Sequence, residues 1–213
     1  MRFSLLLVAV VLLACGGDDT STAPDGSAAD ASVNDGGSSQ DGTASDTAPA
    51  VDVVVPGDAT SSFVLTSSAF VEGAAIPVAN SCKGANESPP LAWTGAPGAT
   101  KSFAVTLTDQ TNALVHWAMF DVPAGTTSLS AAIPNVANPP APVGASQVKS
   151  YDNTTSGYRG PCPPSVHVYS FAVFALDVPA LPNVSIASTR AQVVLEIGKH
   201  TLRSATLTGT FTP

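Results

Sequence analysis

The acidic excess of this chain is concentrated in one stretch near its N-terminus. Residues 16–60 contain nine Asp residues and no Lys, Arg or Glu, and Gly, Ser, Ala and Thr make up most of the rest. No periodic apolar pattern runs through this stretch, so it has nothing with which to build a core. The sequence therefore predicts a solvated, disordered tether over residues 16–60, although the short apolar run at 51–55 could instead pair with a sheet edge.

The segment 61–213 is predicted to be a single folded domain. It carries seven acidic and seven basic residues, so the net charge of −8 comes from the tether and Arg2. A chain that is 44% hydrophobic and only 11% charged has enough apolar surface to bury a core. The net negative charge of the whole chain argues against nucleic-acid binding, which requires a basic face.

Residues 1–15 have the pattern of an export signal. A positive start is followed by an apolar run over residues 3–14, which is too short to span a bilayer as a helix. Leu12-Leu13-Ala14-Cys15 resembles the bacterial lipobox, in which cleavage precedes the cysteine and its sulfur carries a diacylglyceryl group. We therefore predict that Cys15 is lipidated and holds the protein on a membrane. An ordinary secretory signal with an incidental cysteine is the alternative.

The predicted location is the bacterial cell envelope. Gly16, rather than Asp, follows the cysteine, which by analogy with lipoprotein sorting favours the outer membrane. The domain would then face the periplasm or the cell surface.

Short alternating runs predict a mostly β domain. Apolar residues alternate over 103–108 and again over 205–211, and residues 114–122 form another extended run. Residues 167–176 are almost continuously apolar, as in a central strand that is buried on both faces. The pattern predicts two packed sheets with a short peripheral helix near the C-terminus.

The helix is predicted over residues 189–197. Ser188 or Thr189 can cap its N-terminus, and Gln192 stands three residues after Thr189, as in a capping box. Gly198 is predicted to be the residue just past its end.

Cys82 and Cys162 are the two cysteines of the folded segment. An exported chain occupies an oxidising compartment, which favours a disulfide between them. Two buried free thiols are the alternative. The sequence has no CxxC motif, which argues against a redox enzyme.

Asp109 and His116 flank a short predicted connection between two strands. If a hairpin pairs Asp109 with Leu114, then Leu107 faces His116. Asp109 and His116 become diagonal neighbours on one face, with Cβ atoms about 7 Å apart. A register shifted by one residue would separate them.

His167 and Tyr169 share a face by the two-residue period of a strand. They follow the rigid stretch Gly160-Pro161-Cys162-Pro163-Pro164. Each histidine could instead be a core residue. His200 has no motif around it and is predicted to be structural or to lie on the surface.

Four motifs in this segment occur in a fixed order. They are Cys82-Lys83-Gly84-Ala85-Asn86-Glu87-Ser88-Pro89-Pro90-Leu91-Ala92-Trp93, Lys101-Ser102-Phe103-Ala104, Asp109 with Val115-His116-Trp117, and Gly160-Pro161-Cys162-Pro163-Pro164 leading to His167-Val168-Tyr169. Together they resemble the phosphatidylethanolamine-binding protein family, in its bacterial Raf-kinase-inhibitor-like branch. The resemblance implies a two-sheet antiparallel β-sandwich, in agreement with the strand pattern.

The resemblance also implies a small pocket at one end of the sandwich that accepts phosphate, acetate or a phosphoryl head group. Carried over by motif, its wall consists of Asp109, His116, Gly160, Pro161, His167 and Tyr169. This chain departs from the family pattern in two places. It reads Asp109-Gln110-Thr111-Asn112-Ala113 where Asp-Pro-Asp-Ala-Pro is usual, and Val168 stands where relatives carry Arg.

We therefore expect a membrane-anchored protein that binds a small anionic or phosphoryl ligand without a metal or cofactor. Because Val168 replaces Arg, His116 and His167 are the expected cationic donors, and Asp109 is expected to accept a hydrogen bond from one imidazole. A kinase- or protease-inhibitor-like protein with an unidentified protein partner is an alternative. A hydrolase that uses the His/Asp site, as a metal triad or otherwise, is another, although no serine lies in a Gly-x-Ser-x-Gly elbow.

Overall fold

A computed structural model of the chain describes residues 62–213. The predicted signal, Cys15 and the tether over residues 16–60 lie outside these residues. Within the described part, two antiparallel sheets pack together, so the predicted mostly β sandwich is confirmed. None of the described helices is long and apolar enough to cross a membrane.

The described elements follow one another in a simple order. They are β1 (Val64–Thr66), β2 (Leu91–Thr94), β3 (Ser102–Asp109), β4 (Leu114–Pro123), β5 (Ser128–Leu129), β6 (Ser146–Gln147), β7 (His167–Leu176), α1 (Arg190–His200) and β8 (Thr201–Phe211), with a 3-10 turn at Val78–Asn80. The smaller sheet has the order β1-β2-β5 and the larger has the order β6-β4-β3-β7-β8.

The central strands of the larger sheet are buried on both faces. Phe103, Val105 and Leu107 of β3 belong to the core between the sheets. Ala104, on the opposite face of β3, belongs to a second apolar cluster with Val193 of α1. The helix therefore covers the outer face of the larger sheet, and β7, between β3 and β8, is buried in the same two-sided way over most of its length.

Helix α1 begins where the sequence predicts but ends later. The hydroxyl of Thr189 accepts a hydrogen bond from the Gln192 backbone N–H, and the Gln192 side chain accepts one from the Thr189 N–H. The prediction that Gly198 follows the helix is wrong, because the helix continues through it to His200. Strand β8 starts at the next residue, so the chain passes from helix to strand without a glycine-based cap, and the space around Gly198 is open.

A β-bulge in the β3–β4 pair changes the register that the hairpin predicts. Asp109 pairs with Leu114 as expected, but Leu107 lies opposite Trp117. The prediction that Leu107 faces His116 is therefore wrong. His116 is the extra residue of the bulge, and an extra residue of this kind redirects the side chains around it.

The bulge places two successive side chains towards the core between the sheets. The ring of His116 meets that of Tyr169 edge to face, and the ring of Trp117 meets that of Tyr158 in the same way. Both tyrosines belong to this core. In a regular strand, neighbouring residues point to opposite faces, so the bulge brings His116 into the sandwich.

Both edges of the larger sheet are short or covered. The edge strand β6 has only two residues. Along the last part of β8, the Gly73 N–H donates to the Thr208 carbonyl at 3.0 Å, and the Thr210 N–H donates to the Ala74 carbonyl at 2.9 Å. The segment 73–76 thus pairs with the outer edge of β8.

Candidate functional site

Four of the residues predicted from the sequence meet at one end of the larger sheet. Asp109 ends β3, and Tyr169 lies directly opposite it on β7. His167 is the first residue of β7, and the bulge on β4 adds His116. The site therefore combines the ends of three neighbouring strands, as the motif order implies.

Asp109 is a buried carboxylate that orients one imidazole. It is 2% exposed, and its Oδ2 accepts a hydrogen bond from His167 Nδ1 at 2.6 Å, while Oδ1 accepts one from the Thr111 N–H at 2.9 Å. Burial alone would raise the pKa of Asp109, but donors from His167, Thr111 and, at longer range, the Tyr169 hydroxyl outweigh it and lower the pKa. Asp109 thus fixes the ring of His167, and the other ring nitrogen, Nε2, faces away from this hydrogen bond.

His116 is held by the opposite wall of the site. Its Nδ1–H donates to the Arg159 carbonyl at 3.0 Å, so Nε2 is the nitrogen left for other contacts. The residue is 3% exposed. Burial lowers the pKa of His116, and the backbone groups of Arg159 and Gly160 oppose this effect only in part. The protonated form of His116 therefore requires a lower pH than an exposed histidine does.

The hydroxyl of Tyr169 lies at the bottom of the site. Tyr169 is fully buried, and its oxygen has no hydrogen-bond partner of normal length among the described residues. Burial and then the negative charge of Asp109 raise the pKa of Tyr169, so the phenol keeps its proton. A buried donor without an acceptor is rare in folded proteins.

Gly160 and Pro161 form a tightly packed part of the wall, and both are buried. The Gly160 N–H donates to Asn86 Oδ1 at 2.8 Å. A Cβ atom at position 160 would lie 2.1 Å from the Asn80 carbonyl oxygen. Only glycine therefore allows the loop to approach the turn at Asn80 so closely.

A disulfide joins this loop to the turn beside it. Cys82 and Cys162 are bonded, with Cα atoms 5.3 Å apart, which is the pairing that the exported context favours. The Cys82 N–H also donates to the Pro161 carbonyl at 3.0 Å. The loop wall is thus fixed by one covalent bond and by backbone contacts.

The sequence analysis missed Tyr151 and Arg190. The Tyr151 ring lies against that of His116, with centroids 4.3 Å apart. Arg190, at the start of α1, donates to the carbonyl groups of the loop that carries Tyr151. Neither residue belongs to a strand pattern or to one of the four motifs, and only the tertiary fold brings them to the site.

The remaining histidine lies outside this cluster. His200 Nδ1 is 2.9 Å from Asp177 Oδ1, and its Nε2 is 3.6 Å from Glu196 Oε1. These contacts tie the end of α1 to the end of β7, which fits the structural role predicted for His200. Within residues 62–213, no group of three or more His, Cys, Asp or Glu side chains is placed to hold a metal ion.

The fold and the cluster together define a two-sheet β-sandwich protein with a buried polar site at the end of its core. Comparison with known proteins identifies the family. The chain belongs to the phosphatidylethanolamine-binding protein family, whose sequence model matches residues 66–212.

Individual relatives match nearly the whole described domain. A UPF0098 protein of Methanothermobacter thermautotrophicus is 36% identical over 152 residues, which cover 69% of this chain and 97% of the relative. LppC of Mycobacterium tuberculosis, named as a lipoprotein, is 33% identical over 169 residues, covering 77% of this chain and 79% of LppC. The crystal structure of Escherichia coli YbcL, described as a new member of the mammalian PEBP family, superposes with a TM-score of 0.65 at 31% identity, covering 71% of this chain and 98% of YbcL.

Proposed function

We propose that this domain binds the anionic group of a small ligand or lipid head group at the cluster of Asp109, His116, His167 and Tyr169. The observation that carries the proposal is the buried Tyr169 hydroxyl, which makes no hydrogen bond of normal length among the described residues, although Asp109 and the Cys162 backbone lie near enough to affect its pKa. Leaving such a group unsatisfied costs about 1–3 kcal/mol. A phosphate, phosphoryl or carboxylate oxygen at this position would accept its hydrogen bond.

The electrostatics of the cluster support an anion more than a cation. An anion in a buried site needs several donors, and charged ones contribute most. In its protonated form each histidine can offer Nε2–H to an anion, while Nδ1 of His167 stays on Asp109 and Nδ1 of His116 stays on the Arg159 carbonyl. The Asp109 carboxylate already accepts hydrogen bonds from His167 and from the Thr111 N–H, so its oxygens are occupied within the protein.

The test is an NMR or calorimetric titration of the purified protein with inorganic phosphate and with acetate. We expect His116→Ala and His167→Ala each to weaken phosphate binding by about tenfold or more, because each removes a charge-assisted hydrogen bond. His200→Ala is the matched control and should leave binding unchanged. Undetectable binding at pH 5, or binding that survives both site substitutions, would contradict the proposal.

We also propose that the protein is anchored in the cell envelope, at the outer membrane. Two observations support this, the lipobox-like sequence at Cys15 and the similarity to LppC, which is named as a lipoprotein. We expect Cys15→Ser to leave the protein out of the detergent-extracted membrane fraction or to hold it as an uncleaved precursor. Immunoblots of fractionated cells would check this, and normal processing with full membrane retention of the variant would contradict it.

A further inference from the structure

Tyr151 lies over the candidate anion site on the side of His116. The two rings have centroids 4.3 Å apart and are tilted by 43°, and Tyr151 is half-buried. Its phenol is also close enough to Tyr169 to contribute to the raised pKa of that residue, after burial and Asp109. The Tyr151 ring therefore packs against His116, next to the cluster.

The backbone of Tyr151 is held from a distant part of the chain. The Arg190 guanidinium donates to the carbonyl groups of Lys149 at 2.8 Å, of Ser150, and of Tyr151 at 3.3 Å. A planar guanidinium can hold several acceptors in fixed directions, which a lysine ammonium cannot do. Arg190 thereby fixes three successive residues of the loop with one side chain.

A second set of contacts supports the same loop from inside. The Ser150 hydroxyl donates to Asp152 Oδ1 at 2.7 Å, and Asp152 forms an ion pair with Arg159 at 2.8 Å. The carbonyl of Arg159 in turn accepts the hydrogen bond from His116. The loop and the imidazole that Tyr151 covers are thus parts of one connected polar network.

A groove of about 490 Å³ lies beside this loop. It is lined by Val115 of the strand that leads into His116, by Lys149 and Asn153 on either side of Tyr151, and by Arg190. Tyr151 itself and the cluster residues are not part of its lining, so the link between Tyr151 and the cluster is its contact with His116.

We propose that Tyr151 is a specificity-determining residue of the anion site, that Arg190 is its positioning residue, and that the preferred ligands carry a flat aromatic group next to the anion. This inference rests on the proposed anion binding. Offset or edge-to-face aromatic contacts contribute about 0.5–1.5 kcal/mol beyond simple burial. An aryl phosphate should therefore bind about twofold to tenfold more tightly than an alkyl phosphate of similar charge.

The experiment compares phenyl phosphate with methyl phosphate by NMR titration of the wild-type protein and of four variants. Tyr151→Leu should abolish the preference for phenyl phosphate and leave methyl phosphate affinity within about twofold, because the bulk remains but the aromatic face is lost. Tyr151→Phe should keep the preference. Arg190→Gln should lose it as Tyr151→Leu does. Lys101→Gln is the control, because it removes a cation as Arg190→Gln does, at an exposed position before β3 and at the end of that strand away from Asp109.

The ring protons of His116 give a second measurement for the positioning role. Removing the neighbouring aromatic ring in Tyr151→Leu should shift these signals, and Arg190→Gln should shift them in the same direction while Lys101→Gln does not. A preference for phenyl phosphate that survives Tyr151→Leu, or an equal loss of affinity for both phosphates, would overturn the specificity role alone. Failure of the wild-type protein to bind either phosphate or acetate would overturn the proposed function as well.

Discussion

The ionisation of single side chains decides how the cluster responds to pH. Asp109 has a lowered pKa and remains a carboxylate, whereas Tyr169 has a raised pKa and remains a phenol. His116 is the residue of the cluster that resists protonation in the folded protein, because burial lowers its pKa. The site thus keeps the negative charge of Asp109, and His116 adds a positive charge only at a pH below the ordinary range of histidine.

We predict that His116 makes the folded protein less stable as the pH falls below about 6.5, the ordinary histidine value. The unfolded chain binds a proton there before the folded one does, so the free energy of unfolding rises with pH across this window. The His116 contribution is complete above the unfolded pKa and is lost progressively as the pH falls from there towards the lower, folded pKa. Urea unfolding at pH 8, 6.5 and 5 would measure it.

The control for this prediction is a second histidine substitution. His116→Gln should flatten the decrease between pH 6.5 and pH 5, and His200→Gln should not flatten it in the same way. An identical pH dependence in the wild-type protein and in His116→Gln would show that burial does not hold this imidazole neutral.

Two glycines show how loops and helices place opposite demands on the same residue type. We predict that Gly160→Ala destabilises the protein by about 1–3 kcal/mol or more, because the new Cβ would overlap the Asn80 carbonyl oxygen. Gly198→Ala should stabilise it by about 0.5–1 kcal/mol, because position 198 lies in a helix and is surrounded by open space. Denaturant unfolding of the two variants measures both changes in the free energy of unfolding. Equal changes in the two variants would contradict the packing described for the loop.

The strands were predictable where one physical rule acts alone. Alternation identified the inward face of β3, and a continuous apolar run identified β7, because burial on one or both faces imposes these patterns directly. The short connection between residues 109 and 114 correctly predicted that Asp109 pairs with Leu114, the first pair of the hairpin. The bulge at His116 follows from packing across the sheet, and no local pattern in the sequence indicates it.

Local sequence patterns likewise predict some residues of the site and miss those that tertiary packing brings to it. Asp109, His167 and Tyr169 are at positions fixed by strand ends and by a two-residue period, and the motif resemblance named them. Tyr151 contacts His116 from a loop whose carbonyl groups are bound by Arg190, about forty residues later in the sequence. A contact of this kind depends on how distant elements pack, which a local pattern does not encode.

At the scale of the whole domain, one covalent bond joins two distant parts of the chain. Cys82 and Cys162 are 80 residues apart in sequence. In the chain-entropy account, closing a loop of this length lowers the entropy of the unfolded state enough to stabilise the fold by about 4 kcal/mol. We predict a loss of that order in Cys82→Ser and in Cys162→Ser, measured by denaturant unfolding.

The double variant is the control for this prediction. Because one bond is lost in each case, Cys82→Ser/Cys162→Ser should be about as unstable as either single variant. Thiol titration of the denatured, unreduced protein should find neither of these two thiols free. Two free thiols in freshly isolated protein, or single variants as stable as the wild type, would contradict the bridge as a stabilising element.

The covered part of the β8 edge affects how readily the domain can associate with other copies of itself. Unpaired N–H and C=O groups at a sheet edge can recruit a strand from a neighbouring molecule and so start aggregation. Here the segment 73–76 already occupies the last part of β8, and the opposite edge ends in the two residues of β6. The backbone groups of Thr208 and Thr210 on one edge, and of Met119 and Phe120 beside β6 on the other, are therefore already paired and offer no template to a neighbouring strand.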